Sequence, residues 1–525
     1  MLKSEIEKYI ELNSHKDLGL VVTPPKTADY IISRLAPFRR DEKILDPCVG
    51  PGIFVEELLK SGVKSDQIQT YDINPDYKKK MIDLRISFTD QDYLLSYTPL
   101  LNFQFDVILA NPPYLNKSSQ YVKKNKKKLH KIFGKINAHE TYSMFIVNSI
   151  WRLKEGGKLG FITSDSFLTL STHKKLRRFI FNSCKINEIL LAPKDLFSNQ
   201  KVSTSPVIII LTKCTGQKNK RTRENNMMRI IPRVNSEDDY QSPGNVYEIE
   251  QEKYSSFPFN IFYIDVEKEV IELFEKSSKL EQYLQGYIGM HTHNNKKYIG
   301  AVEGTELEEI FTKRNRNIVD LDQKYKIVSK KDLATDHWKP YLKRGGGDQY
   351  YRPIMEALDW SEISKKVYDI PKNVPFEEEG LVISGVSSRL AARYMPKGCY
   401  WDSNKVIGFI IKNKSVSIHY MLGLLNSSLY NYFAKGIINN TNSIQISGIH
   451  ALPFIIPNRE IKEKIEASVT KIIQARKNNI KFDIIGEQKV IDEIIFNFYT
   501  KRFRLPIELK KKLDEQFSIY KPDKE

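Results

Sequence analysis

The sequence predicts an α/β protein in which a doubly wound, mostly parallel sheet is followed by a second domain of mixed structure. Short apolar runs alternate with helical patterns between about Leu20 and Cys214, and a glycine-rich turn follows the first run. The alternation stops beyond about Phe259. Strands of a parallel sheet are buried on both faces, so they read as continuous apolar runs. The length of 525 residues also exceeds what one hydrophobic core usually supports.

Six apolar runs are the predicted strands of this sheet. They lie at 43–46, 67–72, 105–110, 157–164, 188–192 and 207–212. A polar stretch follows at 215–243, and its one apolar island, Met227 to Ile231, is interpreted as the edge of the sheet. The predicted domains are therefore 1–243 and 244–525. Ligands of such sheets bind at the carboxyl ends of the strands, which makes the residues after each run candidates for a site.

The end of the second domain predicts a helical stretch from about Glu460 to Phe503. Apolar residues repeat there at helical spacing, so one face is expected to pack on the rest of the domain. These residues are Val490, Ile491, Ile494, Ile495 and Phe498.

Charge and cysteine content narrow the class of protein. The formal net charge is +18 and the pI is about 9.3, which favours a polyanionic partner such as nucleic acid, although a merely basic soluble protein is the alternative. The four cysteines are far apart, and no run of about 18 uncharged apolar residues offers a membrane span. We therefore expect a cytoplasmic protein without a disulfide framework.

A glycine-rich turn after the first predicted strand is a candidate ligand-binding loop. It contains Asp46, Gly50 and Gly52, and a helix begins near Phe54. Glycines let the backbone approach a ligand, and a helix N-terminus offers unpaired amides. The turn alone is also compatible with dinucleotide binding or with no ligand. Asp72 ends the next run and is a candidate acceptor for a ribose diol, or alternatively a cap of the next turn.

The tetrapeptide Asn111-Pro112-Pro113-Tyr114 follows the strand at 105–110 and carries the proposed chemistry. This chemistry is the methylation of a planar amine such as the exocyclic amine of adenine. That amine is conjugated into the adenine ring and is therefore poorly nucleophilic. The Asn111 side-chain oxygen and the Pro112 carbonyl could accept both amine hydrogens and favour the geometry that attacks a methyl group. Tyr114 offers a face on which an extruded base stacks. An isolated Asn-Pro-Pro would more simply be a capped turn, but with the glycine turn it indicates a methyltransferase.

These motifs resemble the TaqI-like, gamma-type DNA adenine-N6 methyltransferases of restriction-modification systems. The resemblance implies a Rossmann-like S-adenosylmethionine-dependent methyltransferase fold and a C-terminal α+β target-recognition domain that binds double-stranded DNA. The segment 19–25 resembles the family's N-terminal cofactor segment. The cofactor residues implied for S-adenosylmethionine are Thr23, Asp46, Gly50, Gly52, Phe54, Asp72, Asp92 and Tyr93.

Two of the implied residues have competing assignments. Asp92-Tyr93 resembles the family's Asp-Phe pair that holds the cofactor adenine, but Asp90 also fits and Tyr replaces Phe. Phe197 matches the residue that stacks on the flipped base opposite Tyr114, although a core phenylalanine is the alternative.

Basic residues outside these motifs are candidates for DNA contact. A lysine-rich stretch follows the tetrapeptide, beside the expected base pocket, where it could hold phosphates. Its candidate residues are Lys123, Lys124, Lys126, Lys127 and Lys128. In the second domain, loops that mix Arg, Lys, Asn, Gln and Gly could read base edges, and Arg344 and Arg389 are the candidates there.

No metal site is predicted, because His291-Thr292-His293 lacks an acidic or cysteine partner at ligand spacing. No nuclease carboxylate cluster stands out, and the cofactor motif lies near the start of the sequence, so methylation without cleavage is expected, with any cognate restriction endonuclease encoded separately. A monomer is the expected state. Methylation of RNA or of a protein glutamine, and a noncatalytic DNA-specificity subunit, are the alternative functions.

Overall fold

The computed structural model describes residues 19, 21–96, 104–200, 205–403, 405–439 and 442–520. The chain divides into two compact units, Met1–Asp265 and Val266–Glu525. The division falls after Asp265 and not at 243, because the chain beyond 243 still adds an edge strand and a helix to the first unit.

The first unit is built on a nine-stranded sheet in the order β3-β2-β1-β4-β5-β7-β6-β8-β9. The strands are β1 Ile44–Asp46, β2 Ile68–Asp72, β3 Ser87–Asp90, β4 Phe105–Ala110, β5 Leu153–Ser164, β6 Cys184–Leu191, β7 Pro206–Lys213, β8 Met227–Ile231 and β9 Tyr247–Glu250. β7 runs antiparallel to both of its neighbours, whereas β1 to β5 are mutually parallel. The predicted doubly wound, mostly parallel sheet is confirmed. The prediction omitted β3, because its residues are polar and partly exposed at the edge.

The helices of the first unit connect these strands. They are α1 Pro25–Leu35, α2 Ile53–Lys60, α3 Lys78–Asp83, α4 Gln120–Phe133, α5 Thr141–Arg152, α6 Ser166–Thr169, α7 Lys174–Ser183, α8 Lys220–Glu224 and α9 Gln251–Ser256. α1 begins at Pro25, where the missing amide of proline costs no helical hydrogen bond. Its buried face, which includes Ile31 and Leu35, packs on β5 at Gly160.

The order of the sheet explains where a ligand can bind. β1 pairs in parallel with β2 on one side and with β4 on the other, so the strand order reverses at β1. Connections from β1 and β4 leave the sheet in opposite directions and open a crevice at the carboxyl ends of both strands. The glycine turn after Asp46 and the tetrapeptide that begins at Asn111 both lie at this edge.

The second unit contains three smaller sheets. Its strands are β10 Ser278–Lys279, β11 Leu284–Ile288, β12 Ile299–Val302, β13 Ile327–Val328, β14 Trp338–Leu342, β15 Glu356–Asp359, β16 Gly380–Ser384, β17 Ala392–Met395, β18 Tyr400–Trp401, β19 Val406–Ile411 and β20 Pro453–Phe454. They form the orders β10-β20, β11-β19-β16-β17 and β13-β12-β15-β14-β18.

Helices complete the second unit. They are α10 Lys268–Lys276, α11 Asn295–Tyr298, α12 Glu306–Asn315, α13 Glu362–Lys365, α14 Ile418–Asn426, α15 Ser428–Asn431, α16 Ile446–His450, α17 Arg459–Asn478, α18 Ile485–Phe503 and α19 Ile507–Lys512. π-helical turns lie at Tyr432–Ile438 and Leu513–Phe517. No helix in the described part of the chain has both the length and the apolar character needed to cross a membrane.

The predicted C-terminal helical stretch is two helices, α17 and α18, and its buried face differs from the expected one. Ile491 and Ile495 are buried, but Val490 is 47% exposed. The buried face of α18 includes the polar residues Gln488 and Asp492. Gln488 accepts a hydrogen bond from the Tyr350 hydroxyl at 2.6 Å, and Asp492 accepts one from the Ser428 amide at 2.9 Å. These hydrogen bonds allow polar side chains to lie on the buried face of α18. A prediction from the spacing of apolar residues alone therefore placed that face wrongly.

We expect Gly160→Ala to destabilise the first unit. A Cβ atom at Gly160 would lie 2.7 Å from Ile31 Cγ2 and 2.8 Å from Leu35 Cδ1, so α1 or β5 would have to shift. Overpacking of this kind typically costs about 1–3 kcal/mol, measured as a lower apparent Tm. Gly244→Ala is the matched control, because a Cβ there meets nothing within 4 Å. Equal Tm values for the two variants would contradict the tight packing of α1 on β5.

Candidate active site

A crevice opens at the point where the strand order reverses, which is where ligands of doubly wound sheets bind. Its lining residues are Val21, Pro47, Cys48, Asp72, Ile73, Asn74, Tyr77, Gln91, Asp92, Tyr93, Leu94, Asn111, Pro113, Leu115, Tyr121, Thr141 and Phe145. Three of the predicted cofactor residues, Asp72, Asp92 and Tyr93, therefore lie in the wall of one cavity with Asn111.

The glycine turn is held in place by Asp72. One carboxylate oxygen of Asp72 accepts from the Gly50 amide and the other from the Asn74 amide, both at 2.9 Å. Gly50 and Gly52 have φ values of +50° and +87°, which favour glycine. A Cβ at Gly52 would also lie 2.8 Å from Met81 Cε. The glycines thus shape the turn behind the crevice and are not among its lining residues.

Phe54 and Thr23 also lie behind the crevice wall. Phe54 is 4% exposed and belongs to the hydrophobic core of the unit, so its ring supports the turn from within. Thr23 is buried in the segment that precedes α1. The neighbouring Val22 is fixed by the Gln200 side chain, which accepts from the Val22 amide at 2.7 Å and donates to its carbonyl at 2.8 Å. Sequence reasoning missed Gln200, because it pairs with a segment far away along the chain.

Asp46 is a buried acid with an unused oxygen. Its Oδ1 accepts from the Cys48 amide at 3.1 Å, and its Oδ2 is buried with no hydrogen-bond partner among the described residues. Burial raises the pKa of Asp46 to about 8, against the opposing effect of the Cys48 amide, and the nearby Asp72 charge adds to the rise. Burial also raises the pKa of Asp72. The turn therefore keeps a neutral carboxyl group next to the crevice at neutral pH.

The Asn111 side chain is oriented by one hydrogen bond. Its Nδ2 donates to the Val21 carbonyl at 2.9 Å, and its Oδ1 is buried without a partner in the part of the chain that the structure describes. The carbonyl of Val21 requires a donor, so the amide nitrogen faces Val21 and the oxygen faces the crevice. A buried acceptor without a donor is costly to a folded protein, and its presence here indicates a position for a ligand donor.

Thr141 holds the tetrapeptide from the opposite side. Its hydroxyl donates to the Pro113 carbonyl and accepts from the Leu115 amide at 3.0 Å, and its own amide donates to the Leu115 carbonyl at 2.9 Å. Thr141 is the first residue of α5 and is 1% exposed. The sequence did not predict these hydrogen bonds, because a single threonine at the start of a helix does not indicate which residues it will contact.

Tyr114 and Phe197 lie next to each other, but they do not form an open slot. Their ring centroids are 6.3 Å apart and their planes are inclined by 56°. Phe197 is 1% exposed and belongs to the same core as Phe54, while Tyr114 is half-buried against that core. None of the described residues forms a hydrogen bond with the Tyr114 hydroxyl, and burial raises the pKa of Tyr114. A planar base would enter between these rings only after one of them rotates.

Asp92 lies in the crevice wall, whereas Asp90 is exposed at the end of β3 and is not among the lining residues. Asp92 Oδ1 accepts from the Leu94 amide at 2.9 Å, and Oδ2 accepts from the Tyr121 hydroxyl at 2.8 Å. Tyr121 belongs to the first turn of α4 and was not predicted as a site residue. Tyr93 is 2% exposed, with its hydroxyl 3.0 Å from Ser149, so it forms a rigid part of the wall.

The predicted basic residues fall into two groups. The five lysines of α4, Lys123, Lys124, Lys126, Lys127 and Lys128, are all exposed, and none of them forms an ion pair with a described residue. Arg344 Nε lies 3.2 Å from Glu356 Oε1, with 45% of the Arg344 side chain exposed. Arg389 instead donates to the Phe517 and Ser518 carbonyls at 3.2 and 3.4 Å. Its guanidinium is used to fix the C-terminal segment.

Comparison with known proteins finds one family match in each of the two units. Residues 51–197 match the Eco57I restriction-modification methylase family, and residues 312–454 match the TaqI-like C-terminal specificity domain. Both matches support a TaqI-like restriction-modification methyltransferase. The predicted family and the modification-enzyme role are thereby confirmed, as is a C-terminal specificity domain. Use of S-adenosylmethionine follows from the methyltransferase family.

Individual relatives agree with this assignment. The type II methyltransferase M.HincII of Haemophilus influenzae is 23% identical over 519 residues, which cover 90% of this chain and 96% of the relative. M.TthHB8I of Thermus thermophilus is 29% identical over 202 residues, 36% of this chain and 44% of the relative. A solved structure of the restriction-modification enzyme MmeI in complex with DNA has a TM-score of 0.55 at 14% identity, and covers 98% of this chain and 76% of MmeI. It shares the fold.

We expect Asp46→Asn to stabilise the cofactor-free protein increasingly as the pH rises from 5 to 8. The folded-state pKa of about 8 exceeds the ordinary value of 3.8. In this window the folded protein holds a proton that the unfolded chain has lost, so wild-type stability falls with pH. The amide side chain of the variant does not titrate and avoids this loss. The Tm difference between variant and wild type should therefore widen with pH, whereas a constant difference would contradict the raised pKa. Asp66→Asn, at an exposed position, is the control.

Proposed function

We propose that the chain is a site-specific DNA (adenine-N6)-methyltransferase, which transfers the methyl group of S-adenosylmethionine to an adenine extruded from duplex DNA. It would serve as the modification enzyme of a type II restriction-modification system, as a monomer and with any cognate restriction endonuclease on a separate chain. The observation that carries the proposal is the buried, unpaired Asn111 Oδ1 at the crevice.

The surroundings of Asn111 suit an amine that donates two hydrogens. Asn111 Oδ1 accepts one hydrogen, and the Pro112 carbonyl accepts the other. Two hydrogen bonds of this kind withdraw the nitrogen lone pair from conjugation with the adenine ring and favour a tetrahedral nitrogen. The Val21 carbonyl prevents the Asn111 amide from turning a donor toward the amine. Thr141 occupies the Pro113 carbonyl, which leaves Pro112 as the backbone acceptor of the pair.

The crevice also fits the cofactor. Asp72 and Asp92 offer carboxylate oxygens for its hydroxyl and amino groups, and Tyr77, Leu94 and Phe145 add apolar surface. Thr23, Gly50, Gly52 and Phe54 shape the wall behind these contacts, with Tyr93 as a rigid side of it. A polar group of the bound cofactor would satisfy the unpaired oxygen of Asp46, directly or through a water molecule. When bound, the cofactor supplies an electrophilic sulfonium methyl group.

The reaction is a direct displacement. The adenine nitrogen forms its bond to the methyl carbon as the bond between that carbon and sulfur breaks, and one amine proton leaves to solvent. The products are N6-methyladenine in DNA and S-adenosylhomocysteine. Tyr114 stacks on the extruded base from one side. Phe197 would complete the stack only if its ring leaves the core, which makes insertion of the base a step with a side-chain rearrangement.

Asn111→Ala is expected to lower kcat by at least about 10²–10³ and to leave cofactor binding largely intact, because the lost oxygen contacts the target amine. A loss of this size is typical when one hydrogen-bonding group that stabilises a transition state is removed. Labelled S-adenosylmethionine and unmodified genomic DNA would be incubated with each protein, and the DNA digested to nucleosides. Asn116→Ala, an exposed position in the same connection, is the control.

The outcomes of this assay separate the alternatives. N6-methyladenine formed by wild type but not by Asn111→Ala supports the proposal. Label in cytosine, in RNA or in protein would contradict it and would identify the substrate class, and full activity of Asn111→Ala would remove Asn111 from the mechanism. Cofactor binding without any transfer would favour a noncatalytic specificity role.

Replacing three lysines of α4 is expected to weaken DNA binding and its dependence on salt. Lys124, Lys127 and Lys128 lie at helical spacing and are exposed. Each lost phosphate contact lowers the slope of log K against log salt by about 0.9. The triple change to Gln would be compared with a triple change of three lysines that already pair with glutamates, Lys60, Lys276 and Lys464. Equal slopes for both triple variants would show that α4 contributes only its net charge.

A further inference from the structure

Two histidines and one aspartate of the second unit lie together at a point that the methyl-transfer chemistry does not use. His291 and His293 lie in the turn after β11, and Asp369 follows α13. One potential ligand atom of each residue lies within 4.8 Å of the others. The expectation of no metal site depended on the lack of an acidic partner near the histidines in sequence. The fold supplies that partner from a distant segment.

We propose that His291, His293 and Asp369 bind one divalent transition-metal ion, with Zn²⁺ as the best match to the donors. Two imidazoles and one carboxylate are typical zinc ligands, whereas Mg²⁺ and Ca²⁺ prefer oxygen ligands throughout. Three protein ligands leave at least one coordination position for water or an anionic oxygen.

The backbone brings the ligands together without a metal. His291 and Asp369 form a bridge of two backbone hydrogen bonds, with the His291 amide donating at 3.2 Å and the Asp369 amide at 3.0 Å. Thr292 between the histidines is fully buried. Its hydroxyl lies 2.8 Å from Asn295 Oδ1, and its carbonyl accepts from the Asn294 amide at 2.6 Å. The turn is therefore anchored at its centre, and the ligand positions on both sides of Thr292 are fixed.

The side chains are arranged and exposed as a metal site requires. His293 Nε2 lies 2.9 Å from Asp369 Oδ2, and the two imidazole centroids are 4.6 Å apart. The side chains of His293 and Asp369 are 49% and 73% exposed, so an ion can reach them from solvent. His293 has a φ of +58°, a backbone conformation that residues other than glycine rarely adopt. That conformation turns the second histidine of the His-Thr-His sequence toward the first.

A second histidine–aspartate pair in the same unit provides the comparison. His337 Nε2 lies 3.7 Å from Asp359 Oδ1, but no further histidine, cysteine or carboxylate among the described residues completes a group of three there. If the pair formed by His293 and Asp369 were only an exposed ion pair, it would bind a metal no better than His337 and Asp359. The additional imidazole of His291 is the difference that predicts metal binding.

The test is titration of the full, untagged chain with Zn²⁺ by calorimetry after treatment with a chelator, followed by Co²⁺ titration with visible absorption. We expect one equivalent of Zn²⁺ per chain and a Co²⁺ spectrum of a site with nitrogen and oxygen ligands. His291→Gln, His293→Gln and Asp369→Asn should each weaken binding by at least about tenfold. His337→Gln should bind as wild type does. Circular dichroism would check that each variant is folded.

Two results would overturn the proposal. Wild type without stoichiometric Zn²⁺ binding would leave the three residues as an ion-paired turn. Binding that persists unchanged in folded Asp369→Asn and His293→Gln would place the ion elsewhere on the chain. A thermal-shift measurement adds a second readout, because Zn²⁺ should raise the Tm of wild type and His337→Gln but not that of the three ligand variants.

Discussion

The hydrogen bond from Asn111 to the Val21 carbonyl is the interaction on which the candidate active site depends. It takes up the donor half of the Asn111 amide and leaves the acceptor half unpaired at the crevice. The segment before α1 passes the residues that follow β4, where the Gly19 carbonyl also accepts from the Tyr114 amide at 3.3 Å. Gln200 fixes that segment through both backbone groups of Val22. The position of one side-chain oxygen therefore depends on the sheet order and on contacts between distant parts of the first unit.

The crevice concentrates groups that are unfavourable for folding. Asp46 is a buried acid and Asp72 a half-buried one, both with raised pKa values. The Asp46, Asn111 and Tyr114 side chains each bury an oxygen without a partner among the described residues. By contrast, the buried Arg177 guanidinium of the same unit binds the Phe167, Leu170 and Phe259 carbonyls. Unpaired polar groups that gather near one crevice are typical of a site that a ligand completes.

The helix α4 contributes both to the crevice and to a basic surface, and the proposed reaction needs both. Its first turn places Tyr121 in the crevice, where the hydroxyl binds Asp92, and its outer surface carries lysines without acidic partners among the described residues. Val122, Leu129 and Phe133 anchor it to the core. The second unit contributes differently. Arg344 is partly exposed beside Glu356, whereas Arg389 binds backbone carbonyls of the C-terminal segment, so arginine content alone does not identify a nucleic-acid contact.

The sequence alone determined the fold class, the positions of the main strands along the chain and the positions of the two motifs, because apolar periodicity and turn chemistry are local properties of the chain. It also placed Asp72, Asp92, Tyr93 and Asn111 among the candidate residues, and all four line one crevice. Only the tertiary structure decided which other residues surround them. Phe54 and Phe197 belong to the core, while Thr141, Gln200 and Tyr121 reach the site from segments without a recognisable motif. Asp369 joins His291 and His293 in the same way. Such contacts link residues far apart in sequence, and they follow from the packing of whole elements, which no local pattern encodes.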